Sequence, residues 1–333
     1  MKAQVIGIKI NTDIVTGTRK RFDEMLSDLE VDDEVPPHAA EELEARCMVI
    51  AAPSGAGKSH ILLRLREHPS LQPYRDEIGP VRPLIAVKAP SPCTLKTLGI
   101  QICHRLTGMR LRASATEHEI WTEVRAQLDA QHVSVLMIDE FHHAFAKSSA
   151  DQRRNLVETL KNLAIPDPAD PLRQPGSEMR PIMLVLSGMP WTIQVLNQDS
   201  QLLRRRAVIA IEPLKNDQSG LRKAAKFMEL VESKLPFETS SDLSEPDMLR
   251  RMMLASNGFT GRMMALVKQA AFLAINQKAQ FIDRERHLAV VFEEIFQIGK
   301  LRNPFLVPDI TSCPRVPEPA FERLTLLKGT GDE

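Results

Sequence analysis

At 333 residues, the chain has room for one large domain or two of ordinary size. Its composition, 43% hydrophobic and 26% charged, is that of a soluble globular protein. With 43 basic and 43 acidic residues the formal net charge is +0, which excludes a chain-wide field that draws polyanions; a nucleic-acid surface must be a local patch, or form when subunits align their patches.

The first residues lack a secretory apolar core, and no apolar run in the chain is long enough to span a bilayer, so a soluble cytoplasmic protein with no membrane partner is expected. Residues 1–20 alternate weakly (Val5, Ile6, Ile8, Ile10) and read either as a short edge strand or as a docking arm. Apolar spacing predicts a short helix over 22–29, and the acidic stretch closing on Pro36-Pro37 reads as a linker, giving an N-terminal arm and linker over 1–38. A short helix over 39–46 leads into the first core strand.

Met48-Val-Ile-Ala-Ala52 is a buried strand, followed at once by Pro53-Ser-Gly-Ala-Gly-Lys-Ser59 and then by Ile61, Leu62 and Leu65 at helical spacing. Strand, glycine-rich turn and helix in this order make a P-loop. Gly55 and Gly57 let backbone N–H groups close around phosphate oxygens, and the following helix adds its positive end. Lys58 is expected to reach the β- and γ-phosphates and the Ser59 hydroxyl to ligate Mg²⁺. Ser54, Gly55, Ala56, Gly57, Lys58, Ser59 and His60 are thus the expected cofactor-binding run, for ATP with Mg²⁺. Ala52 stands where the pattern has its first glycine.

A proline-rich loop over 69–83 precedes the second strand, Leu84-Ile-Ala-Val87. Residues 94–107 carry a helical apolar face (Leu95, Leu98, Ile102, Leu106), and Thr116-Glu-His-Glu119 is a capping box that opens another helix. A third strand over 133–138 ends in Asp139-Glu140. On a P-loop sheet Asp139 would hold the metal and Glu140 would polarise the attacking water, which favours hydrolysis over simple switching. His142 and His143 follow; adjacent side chains are expected on different faces, so they read as polar contacts near the site or with a neighbour and not as a metal pair. A helix over 149–163 and an irregular proline-rich stretch lead to a fourth strand, Ile182-Met-Leu-Val-Leu186. Ser187 after it either orients water or the γ-phosphate, or begins the turn Ser187-Gly-Met-Pro190. Arg204-Arg-Arg206 precedes a fifth strand over 208–211. It reads either as a guanidinium delivered to a neighbouring subunit's nucleotide, or as a solvated or phosphate-contacting basic cluster.

From Pro213 the texture changes to helices alone, expected over 217–235, 245–257, 260–277 and 283–299. Arg262, at the start of the third, reads either as reaching back over the nucleotide or as an exposed helix-start arginine. The four cysteines, Cys47, Cys93, Cys103 and Cys313, form no C-x-x-C pair and read as reduced, buried thiols. Five prolines after Asn303 read as an extended or partly disordered tail. The expected organisation is an α/β nucleotide-binding domain over 39–213, a helical lid over 214–300 and a Pro-rich tail over 301–333. The fold class is α/β, a P-loop parallel sheet flanked by helices with a C-terminal all-helical domain.

Together A-P-S-G-A-G-K-S, L-M-I-D-E-F-H-H, V-L-S-G-M-P and Q-L-L-R-R-R resemble the AAA+ ATPases, and more narrowly the TniB/TnsC family of ATP-dependent transposition regulators, over roughly residues 40–300. The resemblance implies that Arg205 is the arginine finger, with Arg204 in reserve, that Ser187 is sensor 1 and that Arg262 is sensor 2. It further implies a homo-oligomer, ring or helical filament, wrapped on double-stranded DNA. That assembly would connect a target-selection protein (TniQ-like) to the transposase subunits, with ATP hydrolysis controlling disassembly. Lys88, Lys96, Arg153 and Arg154 are candidate phosphate contacts, though each also reads as part of a solvated helix face. A helicase- or clamp-loading ATPase, a nucleotide-gated adaptor with little hydrolysis and a small-molecule P-loop kinase are the alternatives.

Overall fold

Five short apolar runs, each long enough for a strand and too short for a helix, pair into one parallel sheet. They are β1 (Cys47–Ala51), β4 (Leu84–Lys88), β5 (Val135–Asp139), β6 (Met183–Gly188) and β7 (Arg206–Ala210), in the order β4-β5-β6-β1-β7. Among the described residues the other strands are β2 (Tyr74–Arg75) and β3 (Pro80–Val81), a two-residue antiparallel pair inside the proline-rich stretch where a loop is expected. The computed structural model describes residues 1–32, 47–77, 79–109, 111–112, 114–146, 148–164, 181–197, 206–297, 299 and 302–318. The helix expected over 39–46, Arg204, Arg205 and the tail beyond 318 lie outside the described residues.

The chain packs as two units. One comprises Val15–Ala52 and Lys58–Ala210; the other comprises Met1–Ile14, Pro53–Gly57 and the chain from Ile211 onward. In the sheet unit, α3 (Lys58–Arg66), α4 (Leu95–Thr107), α5 (Glu117–Ala130), α6 (Ala150–Ala164) and α7 (Trp191–Leu196) alternate with the strands. Leu98, Ile102 and Leu106 of α4 and Ile120, Val124 and Leu128 of α5 bury in one apolar cluster with Leu136, Ile138, Leu184 and Leu186 of the sheet. Each such side chain contributes about 1.5–3 kcal/mol of transfer free energy.

The crossing of α4 and α5 depends on Gly99. A Cβ there would lie 2.7 Å from Ile120 Cγ2 and 3.1 Å from the Trp121 indole, so the missing side chain sets how closely the helices approach. The expected capping box is present. Thr116 N–H donates to Glu119 Oε2 (2.7 Å) and Glu119 N–H to Thr116 Oγ1 (3.2 Å), satisfying donors that the first turn leaves open. A second box, Thr94 with Thr97, starts α4.

The helical unit contains α8 (Gln218–Glu232), α9 (Pro246–Ala255), α10 (Thr260–Asn276) and α11 (Ala289–Phe296), the last entered through a π turn at Arg284–Leu288. These fall on the four predicted stretches. The start of the chain corrects the edge-strand reading: it forms α1 (Lys2–Ile6), and Val5, Ile8 and Ile10 bury in the apolar cluster of the helical unit. Lys268 Nζ donates to the carbonyls of Ile6 (2.9 Å) and Ile8 (3.2 Å), which ties that stretch down. The helix expected over 22–29 is longer, α2 (Asp13–Asp32).

The tail also departs from expectation, because residues 302–318 fold onto the helical unit. Phe305 and Val316 are buried, and a 3₁₀ turn forms at Ile310–Ser312. Arg251, itself buried, donates to the carbonyls of Pro304 (2.6 Å), Val307 (2.7 Å) and Pro308 (3.3 Å), while Nε is held by Asp247 (2.6 Å). All four cysteines are free thiols, and burial pushes Cys47 up to about 12. Among the described residues no helix is long and apolar enough to cross a membrane.

Candidate functional site

β1 delivers the P-loop. Its last strand pairing, Ala51 with Gly188, is continued by Ala52 N–H donating to the Gly188 carbonyl at 3.1 Å, after which the chain leaves the sheet. Gly55 (φ +73°) and Gly57 (φ +119°) then take left-handed backbone conformations that a Cβ would strain. Lys58 opens α3, so the loop ends on a helix N-terminus. The buried Lys58 side chain donates to the Ala52 carbonyl at 2.8 Å, while Ser59 is exposed and His60 half-buried.

β5 places the acidic pair. Asp139 is the final residue of that strand and accepts the Glu140 N–H at 2.8 Å. Ser187, fully buried on the neighbouring strand β6, donates its hydroxyl to Asp139 Oδ1. The pairing explains this contact: Ile138 lies opposite Leu186, so the next residue of each strand meets across the sheet. On its other side Ser187 is in register with Ile50 of β1. It belongs to the strand and not to a turn, and its hydroxyl proton serves Asp139.

Glu140 itself is left-handed (φ +54°), a conformation that costs a non-glycine residue about 1 kcal/mol. It begins the 3₁₀ turn Phe141–Ala144. That turn corrects the expectation for His142 and His143. Their rings do not diverge but lie 4.3 Å apart between centroids, because a tight turn places successive side chains closer than a strand does. Ligand atoms of Glu140, His142 and His143 all lie within 4.8 Å of one another. His142 Nδ1 approaches Glu140 Oε2 to 3.3 Å without hydrogen-bond alignment and is otherwise unsatisfied. Burial, then His143 and Lys58, lower the His142 pKa to about 4, so the ring is neutral near pH 7 and does not pair ionically with Glu140.

In the helical unit, the start of α10 rests on the P-loop residues 53–57. A Cβ on Gly261 would lie 2.5 Å from the Gly55 carbonyl oxygen and 2.6 Å from Ala56 C and Gly57 N, so only glycine fits. Arg262 is fully buried, against the exposed helix-start alternative. Its Nε donates to the Ser54 carbonyl at 3.0 Å and its guanidinium lies 4.5 Å over the Phe259 ring. The remaining fork is taken by Glu318, with distances of 3.1 Å and 2.5 Å. Glu318 escaped the sequence reading, since it stands 56 residues away in a stretch that reads as extended.

The glycine turn, helix N-terminus and Lys58 fit a polyphosphate chain, and the oxygen donors of Ser59 and Asp139 fit Mg²⁺, a hard cation that selects carboxylates and hydroxyls. Arg206 opens β7 and donates to Asn197. The finger assigned to Arg205, with Arg204 in reserve, cannot be placed, both lying outside the described residues.

The family model described as "Bacterial TniB protein" matches residues 18–216. No curated protein matches the chain. The fold is similar to that of Cdc6p from Pyrobaculum aerophilum, with a TM-score of 0.53 and 15% identity over 92% of this chain and 85% of that chain. Similarity extends to the Aeropyrum pernix ORC2 protein (TM-score 0.49, 15% identity, 75% of this chain and 62% of that). It extends also to Drosophila ORC bound to DNA (TM-score 0.49, 12% identity, 90% and 65%). The fold comparison rests on the first of these.

Proposed function

The chain belongs to the TniB family, whose fold is that of the AAA+ ATPases, and from this premise we propose that it is an ATP-hydrolysing regulator of transposition that assembles on double-stranded DNA. In this reading it works in the cytoplasm as a homo-oligomer and links a target-selection protein to the transposase. The observation that carries the nucleotide part is the meeting of Asp139 with Ser187 on β6, the strand that lies between β5 and the P-loop strand β1. In that order β5 and β1 are parallel strands separated by β6 alone, which supports reading the residues that follow their C-terminal ends as one phosphate-binding and water-activating site.

Each residue has a part. Backbone N–H groups of residues 54–59 and the Lys58 ammonium bind the β- and γ-phosphates. Ser59 and Asp139 would hold Mg²⁺, which supplies charge neutralisation on the transferring phosphoryl group. Ser187 fixes the Asp139 carboxylate through its hydroxyl. Glu140, turned out of the strand by its left-handed backbone, orients the attacking water and takes its proton. Arg262 reads the terminal phosphate, and Arg205 completes the site of a neighbouring subunit.

The test is nucleotide affinity and phosphate release, with and without duplex DNA. Lys58→Ala is expected to lose ATP binding and Glu140→Gln to keep ATP bound, slow hydrolysis by at least about 100-fold and prolong the DNA complex. Mixing Arg205→Ala with Lys58→Ala subunits is expected to restore a fraction of active sites. Normal phosphate release by Glu140→Gln would remove the hydrolytic assignment. Unchanged DNA binding with and without ATP would remove the assembly reading.

A further inference from the structure

A buried arginine must have an anion or several acceptors, since an unpaired buried charge is costly. Arg262 has both kinds. Its inner edge, Nε, is committed to the Ser54 carbonyl of the P-loop, and its face to Phe259. Its outer fork is taken by the two carboxylate oxygens of Glu318, Oε1 at 3.1 Å and Oε2 at 2.5 Å. This bidentate edge is the part of a guanidinium that matches phosphate as well as carboxylate, and one fork cannot serve both at once.

The two partners differ in what they stand to lose. Arg262 is fully buried, whereas the Glu318 side chain is 52% exposed. If the pair parts, Glu318 is already half in water, but Arg262 needs a replacement anion. The attachment of Glu318 is also local. Asn257 Nδ2 donates to Glu318 Oε1 (3.1 Å) and to the Val316 carbonyl (2.8 Å), and Arg262 is its other clasp. The near end of the same segment is held separately, by Arg251 on the carbonyls of Pro304, Val307 and Pro308. The Arg262 hydrogen bonds also hold the Glu318 carboxyl below the usual carboxylate range, so it is anionic whenever the pair forms near neutral pH.

We propose that Glu318 is an internal stand-in for the terminal phosphate: it occupies the Arg262 fork until a nucleoside triphosphate displaces it, and that displacement frees the far end of the 302–318 segment. The proposal rests on the reading of Arg262 as the phosphate-reading arginine. The chain thus carries its own competitor for the triphosphate state, and the segment end becomes a signal of nucleotide identity. A diphosphate, lacking the group that takes the fork, leaves Glu318 in place. The segment hinges between Pro308 and Val316, because the Arg251 contacts do not depend on the nucleotide.

The experiment uses the full-length chain with Mg²⁺. Glu318→Gln removes the charge at constant size and is expected to tighten ATP binding by about 5- to 10-fold while leaving ADP affinity within about twofold. In an Arg262→Ala background the same substitution is expected to change neither. In the unsubstituted protein, hydrogen exchange is expected to rise at 310–318 with a non-hydrolysable ATP analogue but not with ADP, and to stay unchanged at 303–308. The exchange measurement keeps the test decisive even if Glu318→Gln folds poorly. Unchanged or weaker ATP binding by a normally melting Glu318→Gln, an equal gain for ADP, or protection of 310–318 by the triphosphate overturns the proposal and leaves the nucleotide reading intact. Failure of the unsubstituted chain to bind ATP overturns both.

Discussion

The two units hold their charged groups by different means. In the sheet unit, Asp139 is fixed by its own neighbours, the next backbone N–H and a serine one strand away in register. In the helical unit, the buried arginines Arg251 and Arg262 are fixed by a segment that arrives more than 50 residues later. The first arrangement follows from strand pairing alone. The second requires the last part of the chain to fold back, so its integrity depends on long-range packing. Charge placed by register is robust to changes elsewhere, whereas charge placed by a returning segment can be exchanged.

The contrast can be broken at its strongest point first. Arg251→Ala leaves the carbonyls of Pro304 and Val307 without their buried donor and is expected to cost about 3 kcal/mol of stability. Chemical denaturation with exchange mapping would check this, with loss of protection expected at 303–308 and none in the sheet. A helical unit as stable as before would mean the segment is not held by Arg251. Gly261→Ala drives a methyl into the P-loop backbone and is expected to cost about 2 kcal/mol and to weaken nucleotide binding. Titration with a fluorescent nucleotide reads the second effect; unaltered affinity would show that the approach of α10 has no bearing on the loop.

Smaller effects sharpen the other side. Ser187→Ala removes one hydrogen bond to Asp139, worth about 1 kcal/mol, and is expected to slow phosphate release several-fold while the melting temperature moves little. A loss as large as that of Glu140→Gln would give Ser187 a direct part in the reaction. The smallest effect concerns His142. Its folded pKa, near 4, lies below the ordinary 6.5, so the unfolded chain binds the proton more readily. The stability it contributes is complete above pH 6.5 and is lost as pH falls towards 4. Comparing melting temperatures of the unsubstituted chain and His142→Gln across that window should show the shallower decline in the variant.

The same contrast explains what was legible in the sequence. The five sheet strands, the capping box at Thr116 and the four helical stretches after Pro213 are local patterns of period and capping, and they fold as they read. Asp139 and Ser187 stand at strand ends in the sequence pattern, and parallel pairing of β5 with β6 brings those two ends together in the structure. Residues 1–10 misled because Val5, Ile8 and Ile10 are too few to separate alternation from a short helix and its following turn. The divergence expected for His142 and His143 holds for a strand-like alternation, and a 3₁₀ turn forms there instead. Residues 302–318 looked unstructured because their anchors, Phe305 and Val316, are isolated among prolines, and nothing local announces Arg251 or Arg262 as their partners.

The left-handed backbone of Glu140 bears on how such a chain would age once released from its task. Glycine or asparagine suits that conformation better than glutamate, so Glu140 is held there against steric preference. Under the proposed hydrolytic role, copies no longer selected for turnover would gain sturdiness by exchanging Glu140 for glycine or asparagine, and such inactivated descendants should outlast their working ancestor in a thermal challenge.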